Sequence, residues 1–363
     1  MRSRSSTIRA PRTLAIRHDD LPPLTAEEIL VRVEHSGVCG SDLHFFAAGA
    51  PTPGTPFGHE ITGQVVDAGS AHRDLLDTRV VVNPYRFCGD CRQCDRNRPI
   101  NCVNRLPSFD AGFATHARVH VAPQRANVFA VPSQLPSTVA ALAEPTAVAL
   151  HAAERALAHL EPSPEDARDS AAPPLLILGA GPIGLLLTAY LVHGRGQRVW
   201  VLDRAASRCE LASSVGAQRA FATEEELSAA LAGLPDQDAP IVNSGPLPPV
   251  PVVFECSGAA ALLSKAAHGW VGRGGVLCQV AVFGSDPVVP VDSLLRKEAD
   301  LVTSYAYTTE DWLRVLDFLS THVEVVSALV AEFDGLDGLE SLLTDTLAGR
   351  VAQKPVVRVA PAS

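Results

Sequence analysis

The sequence around residue 180 reads Leu175-Leu-Ile-Leu-Gly179-Ala-Gly181-Pro-Ile-Gly184-Leu-Leu-Leu-Thr-Ala-Tyr. An apolar run leads into Gly-x-Gly-x-x-Gly and a second apolar run follows, which predicts a buried strand, a tight turn and a helix. In that context the glycines let a pyrophosphate approach the backbone closely, and the helix N-terminus offers it N–H groups. The stretch therefore predicts a dinucleotide-binding turn, with these cofactor contacts: Gly179, Gly181, Pro182, Ile183 and Gly184.

The next apolar run, which ends at Asp203, bears on the choice of coenzyme. An acid about 20 residues after the glycine pattern accepts hydrogen bonds from the ribose 2′-hydroxyl and repels a 2′-phosphate. Arg204 and Arg208 follow it and favour the opposite choice, because arginine can hold a phosphate. We expect NAD rather than NADP, with Asp203, Arg204 and Arg208 in the cofactor site.

Two further apolar runs, at residues 252–255 and 276–282, have the character of buried strands. Strands that alternate with helical segments predict a parallel, doubly wound sheet, and hence an α/β fold class. Cys209, Cys256 and Cys278 lie in these elements and are expected in the core.

A second group of chemically distinctive residues comes earlier, in Val38-Cys39-Gly40-Ser41-Asp42-Leu43-His44 and Gly58-His59-Glu60. Cys, His and Glu are residue types that bind Zn²⁺. A folded loop must bring Cys39 and His59 together, and a site with two or three protein ligands and an open position is catalytic. The Pro- and Gly-rich residues 45–58 are expected to form a loop beside the substrate. The alternative is that Cys39 and His59 are ordinary packed side chains.

Four more cysteines follow the pattern Cys-x2-Cys-x2-Cys-x7-Cys, at Cys88, Cys91, Cys94 and Cys102. Four thiolates at these short spacings predict a closed tetrahedral zinc site, in preference to disulfides. Such a site has no open position for a substrate, so its expected role is to hold a lobe of the protein together.

The composition limits the classes of function. The chain has 363 residues, enough for two domains, and is 47% hydrophobic and 19% charged. Its net charge of −10 argues against a nucleic-acid or membrane-surface partner. We see no secretory signal and no apolar run long enough to span a bilayer. Eight cysteines, four of them at metal spacing, predict a reducing, cytoplasmic location. Polar, Pro-rich residues 161–174 are expected to form a loop, and residues 240–251 are a Pro-rich insertion.

These motifs resemble those of the zinc-containing medium-chain dehydrogenases. Their signature, Gly-His-Glu-x2-Gly-x5-Gly, is matched by Gly58-His59-Glu60, Gly63 and Gly69, although His72 stands where a small or aliphatic residue is usual. The run Cys-Gly-Ser-Asp-x-His matches the polyol (sorbitol) dehydrogenase branch. The resemblance covers nearly the whole chain. It implies the following domains: a β-rich, GroES-like catalytic domain at 1–148 with a structural-zinc lobe at 86–104, a Rossmann NAD-binding domain at 149–296, and a return to the catalytic domain at 297–363.

The resemblance also implies roles for single residues. Glu144, in Ala143-Glu144-Pro145, would lie at the catalytic zinc as a ligand or through a water; the alternative is a carboxylate that a helix N-terminus stabilises. Glu60 would be a ligand that exchanges with water, or a residue just behind the ligands, and Asp42 would orient a ligand histidine. Ser41 and His44 would pass a proton outward. The nicotinamide would be lined by these residues: Val280, Val282, Ser304 and Tyr305.

The implied activity is hydride transfer between a secondary alcohol and NAD, with one catalytic and one structural zinc per chain. The expected substrate is a polyol, cyclitol or sugar-like alcohol. Tyr305-Ala306-Tyr307 replaces the Phe-Arg-Tyr of sorbitol-type enzymes, which argues against an ordinary linear polyol. Alternatives are a dehydrogenase or reductase of simple ketones, aldehydes or a threonine-like amino alcohol, a non-catalytic NAD-binding protein, and a zinc-binding interaction module. Family members form homodimers or homotetramers.

Overall fold

The computed structural model describes residues 2–49, 54–160, 173–234 and 250–359. The predicted loop at 161–174 and the Pro-rich insertion at 240–251 lie largely outside the described residues. The chain divides into two compact units, residues 1–147 with 307–363, and residues 148–306.

The strands and helices are numbered here along the described chain. The strands are β1 (Arg2–Ala10), β2 (Thr13–Asp20), β3 (Glu28–Gly37), β4 (Thr55–Pro56), β5 (Glu60–Ala68), β6 (Arg79–Val82), β7 (Tyr85–Arg86), β8 (Leu106–Pro107), β9 (His116–His120), β10 (Val128–Ala130), β11 (Leu175–Leu178), β12 (Val199–Leu202), β13 (Arg219–Phe221), β14 (Val252–Glu255), β15 (Val276–Gln279), β16 (Asp300–Thr303), β17 (Val330–Asp334) and β18 (Lys354–Arg358). The helices are α1 (Gly40–Ala48), α2 (Arg92–Asp95), α3 (Ser137–Ala140), α4 (Ala143–Leu157), α5 (Pro182–Ala189), α6 (Ala206–Ser214), α7 (Glu224–Ala232), α8 (Ala260–Lys265), α9 (Val291–Leu295), α10 (Thr309–Thr321), α11 (Val323–Ser327) and α12 (Leu339–Leu347).

The first unit is built on a sheet with strand order β10-β6-β5-β3-β18-β17, in which β9 also pairs with β3. Strand β3 is buried over most of its length: Ile29, Val31 and Val33 lie in the core, and Leu30, on the other face of the strand, is also buried. Its last residue, Gly37, pairs with Glu60 of β5 and with Val356 of β18. This register brings the end of β3 and the beginnings of β5 and β18 to the same edge of the fold.

Helix α1 begins immediately after β3 and overlaps the segment that was expected to be a loop. Residues 45–48 are helical, because the helix starts at a well-capped N-terminus: the carboxylate of Asp42 accepts the backbone N–H of Cys39. The prediction of a loop across 45–58 was therefore wrong for its first four residues. Residues 50–53 lie outside the described part of the chain.

The second unit contains a sheet of six described strands, all parallel, in the order β13-β12-β11-β14-β15-β16. The strand order reverses between β11 and β14. The predicted doubly wound α/β fold is confirmed. The unit extends to Ala306 rather than ending at residue 296, because Asp300–Thr303 forms β16 of this sheet. Within the described residues, no helix is long and apolar enough to cross a bilayer.

Candidate metal centres and dinucleotide site

Cys39, His59 and Glu60 come together at the shared edge of β3 and β5. Cys39 precedes α1, His59 precedes β5, and Glu60 is the first residue of β5. One potential ligand atom from each of the three residues lies within 4.8 Å of the others. A thiolate, an imidazole and a carboxylate are a donor set that suits Zn²⁺. The fold thus brings Cys39 next to His59 and Glu60, which follow it by about 20 residues in the sequence.

Asp42 holds the two segments that carry these side chains. It is buried, and its two carboxylate oxygens accept the backbone N–H groups of Cys39 at 2.9 Å and Gly58 at 3.2 Å. One oxygen also lies 3.9 Å from His59 Nδ1. Burial raises the pKa of Asp42, and the neighbouring His59 lowers it. The contacts suit a residue that fixes the spacing between Cys39 and His59.

Glu144, at the start of α4, contacts the side chain of Tyr307. The Tyr307 hydroxyl donates a hydrogen bond of 3.0 Å to Glu144 Oε1, and the tyrosine ring packs edge-on against Trp312. Burial raises the pKa of Glu144, whereas the charge of His59 lowers it. Conversely, burial lowers the pKa of His59, but Cys39, Asp42 and Glu144 together raise it well above its usual value. The charge of Glu144 therefore acts on His59. Glu144 is not one of the three residues whose ligand atoms lie within 4.8 Å of one another, which are Cys39, His59 and Glu60.

Lys354 is a residue of this site that the sequence reasoning missed. It begins β18, is 3% exposed, and donates hydrogen bonds to Glu60 Oε1 at 2.6 Å and to the Val38 carbonyl at 2.8 Å. Burial lowers the pKa of Lys354, but Glu60 and Cys39 reverse that effect and raise it. A lysine followed by three apolar residues at the start of a strand was the available signal, because a buried lysine requires a partner.

Gly37 makes room for the carboxylate of Glu60. A Cβ atom at position 37 would lie 2.0 Å from Glu60 Oε2, so any other residue there would displace the acid. Lys354 and Gly37 thus restrain Glu60 from two sides. This arrangement holds the carboxylate in a fixed place beside the other potential ligands.

Ser41 and His44 lie on α1, three residues apart, and both are exposed. Side chains at this spacing share one face of a helix. The ring of His44 contacts Phe45 edge-on, with 6.2 Å between centroids. Both side chains are therefore accessible to solvent on the helix that follows Cys39.

The four cysteines Cys88, Cys91, Cys94 and Cys102 form a compact group around α2 and the β7–β8 hairpin. Their sulfur atoms all lie within 4.8 Å of one another. The Cys88–Cys102 and Cys91–Cys94 sulfur separations of 3.4 Å and 3.6 Å are far longer than a disulfide bond, and all four thiols are free. Backbone N–H groups of Cys94 and Val103 lower the pKa of Cys91 to about 6. The set fits a closed tetrahedral zinc site.

The glycine turn after β11 has the geometry that a dinucleotide requires. Gly179 has φ +98°, and a Cβ at Gly184 would lie 1.9 Å from the Gly179 carbonyl oxygen, so α5 packs closely on the turn. Asp203 accepts the backbone N–H groups of Ala180 at 2.8 Å and Ala205 at 2.9 Å. These bonds tie the end of β12 to the glycine turn.

Two arginines accompany Asp203 in different ways. Arg204 is exposed, whereas Arg208 is partly buried with Nη1 3.9 Å from Asp203 Oδ2. Arg208 therefore partly neutralises the negative charge of Asp203, whereas the side chain of Arg204 is exposed to solvent.

The remaining predicted cofactor residues line a cavity of about 280 Å³ in the second unit. Val280, Val282 and Ser304 are in its wall, together with Gln279 and Tyr305. Ser304 is 6% exposed, and its hydroxyl has no hydrogen-bond partner among the described residues. A buried polar group of this kind is suited to bind a ligand.

Comparison with protein families matches both halves of the chain. The alcohol dehydrogenase GroES-like domain matches residues 25–133, and the zinc-binding dehydrogenase domain matches residues 182–321. The chain belongs to the zinc-type medium-chain alcohol dehydrogenases. The predicted family is thus confirmed, and with it the pairing of a GroES-like domain with a Rossmann domain.

Among relatives of this chain, L-threonine 3-dehydrogenase from Xanthomonas campestris pv. campestris (strain B100) is 32% identical over 205 residues. That match covers 55% of the present chain and 56% of the relative, so it spans only about half the length of either protein. L-idonate 5-dehydrogenase from Vitis vinifera is 26% identical over 315 residues, which are 85% of this chain and 81% of the relative.

Solved structures share the fold of this chain over almost its full length. L-idonate 5-dehydrogenase from Escherichia coli K-12 has a TM-score of 0.81 and 22% identity, covering 99% of this chain and 98% of that one. A zinc-binding dehydrogenase from Sinorhizobium meliloti 1021, bound to NADP, has a TM-score of 0.77 and 25% identity, covering 99% of both chains.

Proposed function

We propose that this protein is a zinc- and NAD-dependent dehydrogenase that acts on a secondary alcohol of the polyol, cyclitol or sugar-like class. The observation that carries the proposal is the group formed by Cys39, His59 and Glu60, whose potential ligand atoms lie within 4.8 Å of one another. The second unit supplies a glycine turn and Asp203 for a dinucleotide. Two zinc ions per chain are proposed, one catalytic and one structural.

The catalytic zinc would be held by Cys39 and His59, with Glu60 or Glu144 as a further ligand, directly or through a water. When bound, it supplies Lewis-acid stabilisation of negative charge on the alcohol oxygen. Asp42 keeps the Cys39 and His59 segments in register through its two backbone hydrogen bonds. Ser41 and His44 would lead the released proton to solvent, and a bound nicotinamide would supply the acceptor for the carbinol hydride.

NAD is the proposed coenzyme because the carboxylate of Asp203 stands at the end of β12, where it accepts a ribose 2′-hydroxyl and repels a phosphate. Gly179, Gly181, Pro182, Ile183 and Gly184 form the turn for the pyrophosphate. The cavity lined by Val280, Val282 and Ser304 is proposed to receive the nicotinamide. NADP is the alternative, supported by Arg204, Arg208 and the NADP-bound neighbour.

The substrate class rests on two supports. The alignment with L-idonate 5-dehydrogenase, which covers most of both chains, favours a sugar-derived alcohol. The replacement of Phe-Arg-Tyr by Tyr305-Ala306-Tyr307 argues against a simple linear polyol. The match with threonine dehydrogenases has the higher identity and makes a threonine-like amino alcohol the second candidate.

The test is formation of NADH by the purified enzyme with a panel of cyclitols, sugars, sugar acids, polyols, threonine and small apolar alcohols. The same panel is run after chelation and after zinc is restored, with NADP in parallel. Zinc-dependent turnover of a cyclitol or sugar supports the proposal. Turnover confined to threonine or small alcohols would replace the substrate class, and zinc-loaded protein that binds NAD without turnover of any alcohol would support a non-catalytic role.

A homodimer or homotetramer in the cytoplasm is proposed for the active form. Several large apolar side chains of the second unit are exposed, and β16 is the last strand of its sheet. The exposed side chains include Val282, Val288, Val291, Leu295 and Leu301. Light scattering distinguishes a dimer or tetramer from the monomer that would contradict this part of the proposal.

A further inference from the structure

Glu255 ends β14 at the point where the strand order of the second unit reverses. It pairs in register with Leu178, the last residue of β11, and the Cys256 N–H donates to the Leu178 carbonyl. In doubly wound sheets, ligands bind beyond the carboxyl ends of the strands at such a reversal. Glu255 is thus an acid at the expected position of the coenzyme, yet it is fully buried.

The carboxylate of Glu255 is satisfied by the turn that follows it. Oε1 accepts the backbone N–H of Ser257 at 2.9 Å and also the Ser257 hydroxyl, and Oε2 accepts the N–H of Gly258 at 3.3 Å. Burying a carboxylate is unfavourable unless hydrogen-bond donors replace its lost hydration, as these groups do here. The bonds fix the conformation of the 257–258 turn, in which Gly258 has φ +71°.

The main-chain carbonyl of Glu255 fixes a second segment. It accepts the backbone N–H groups of both Val280 and Ala281 at 3.0 Å. These two residues line the cavity proposed for the nicotinamide. One residue therefore holds the 257–258 turn through its side chain and the 280–281 segment through its backbone.

The 257–258 turn also packs directly against the dinucleotide turn. A Cβ at Gly179 would lie 2.8 Å from both the N and the Cα atom of Ser257, so the two turns are in backbone contact. A Cβ at Gly258 would lie 3.6 Å from the Val282 carbonyl. The 257–258 turn therefore stands between the proposed pyrophosphate and nicotinamide segments.

We propose that Glu255 is a positioning residue for the coenzyme: its carboxylate sets the 257–258 turn, which supports Gly179 on one side and the 280–282 segment on the other. The inference rests on the proposed function, because it requires a dinucleotide in the second unit. Glu255 itself touches neither coenzyme nor substrate. Its effect is to present a backbone that needs no rearrangement when the pyrophosphate and nicotinamide bind.

The variant E255Q tests the inference in the zinc-replete full chain. Glutamine keeps the shape and one acceptor, but its NH2 group must face an N–H donor of the turn. We expect the dissociation constants of NAD and ADP-ribose, measured by titration calorimetry, to rise about tenfold, as loss of a charge-assisted hydrogen bond implies. AMP, which reaches the Asp203 end without the pyrophosphate bridge, should bind within about twofold of wild type. The control is E225Q, an exposed glutamate on α7.

Each outcome of this experiment decides a separate question. Unchanged NAD and ADP-ribose affinity in E255Q overturns the inference, and so does an equal loss for AMP, which indicates general damage to the fold. Wild-type protein that binds neither NAD nor NADP overturns the proposed function and the inference with it. If E255Q does not fold, S257A removes one donor and leaves the backbone intact, and a rise of about threefold for NAD but not AMP is then required.

Discussion

The two cysteine-containing groups of the first unit are assembled in opposite ways. The four thiols of the closed group come from one short run, residues 88–102, around α2 and the β7–β8 hairpin. Cys39, His59 and Glu60 come from the ends of two strands whose register places them together. A local group needs only its own loop, whereas the second group depends on a large part of the surrounding sheet.

The surroundings of the two groups differ as well. Main-chain N–H groups lower the pKa of Cys91, whereas burial raises that of Cys94. Ionisable side chains surround the other group: buried Asp42, Tyr307 and Lys354, and half-buried Glu144. A zinc site with four protein ligands has no open position and stabilises the fold. A site with fewer protein ligands leaves a position at which a substrate can bind. The difference can be tested by removing one ligand from each.

The largest effect is expected for Cys39→Ala. Loss of this ligand should remove one zinc per chain and reduce kcat/KM by roughly 1,000-fold or more, because several kcal/mol of charge stabilisation disappear. Stability should change little, since the residue is partly exposed and already small. Metal analysis, kinetics and thermal unfolding measure the three quantities. The matched control Cys209→Ala should keep both zinc ions, and full activity in Cys39→Ala would contradict the assignment.

Cys94→Ala should reduce stability strongly and activity less than Cys39→Ala does. An incomplete tetrahedral set binds zinc weakly, so one zinc should be lost and the free energy of unfolding should fall by more than about 4 kcal/mol, as expected for loss of a structural metal. Activity per folded molecule should fall less than in Cys39→Ala. Denaturant unfolding and active-site titration check this. A Cys94→Ala variant with unchanged stability would show that the four thiols do not hold a structural metal.

The same contrast explains what the sequence could and could not predict. Cys88 to Cys102 lie in one short run, so their spacing alone indicates the cluster. The contact between Lys354 and Glu60 joins residues 294 positions apart, and nothing in local sequence indicates that pairing. It follows from the antiparallel register of β18 with β3, which is decided by the whole sheet. Local sequence likewise does not indicate that β16 joins the sheet of the second unit, because that pairing is also decided by distant strands.

Lys354→Met should destabilise the group formed by Cys39, His59 and Glu60. Removing one partner of a buried ion pair leaves Glu60 uncompensated, so we expect a loss of about 3 kcal/mol in unfolding free energy and about tenfold weaker zinc binding at the Cys39 group. Lys297→Met is the control, because Lys297 is also buried but donates to the Ala267 and Val271 carbonyls of the second unit. Equal zinc affinity in the two variants would show that Lys354 is only structural.

The contribution of Lys297 to the free energy of unfolding should depend on pH. Burial lowers the pKa of Lys297 from 10.5 to about 8. Between these values the folded protein binds fewer protons than the unfolded chain, so the contribution of this lysine to stability should increase as pH rises through the window. The stability of wild type relative to Lys297→Met, measured by denaturant unfolding from pH 7 to pH 10, should rise accordingly. A flat or falling difference would contradict the lowered pKa.

The smallest effect is expected for Tyr307→Phe, which removes only the hydroxyl that Glu144 accepts at 3.0 Å. Loss of a hydrogen bond to a charged acceptor should lower kcat/KM by about tenfold if Glu144 supports the catalytic zinc, with the zinc content unchanged. Tyr190→Phe is a matched control, because its hydroxyl donates to Glu154 at 2.7 Å in the second unit. Both variants should lose similar stability, so a kinetic loss specific to Tyr307→Phe would link Glu144 to the chemistry. Equal kinetics in the two would instead assign Glu144 a structural role at the start of α4.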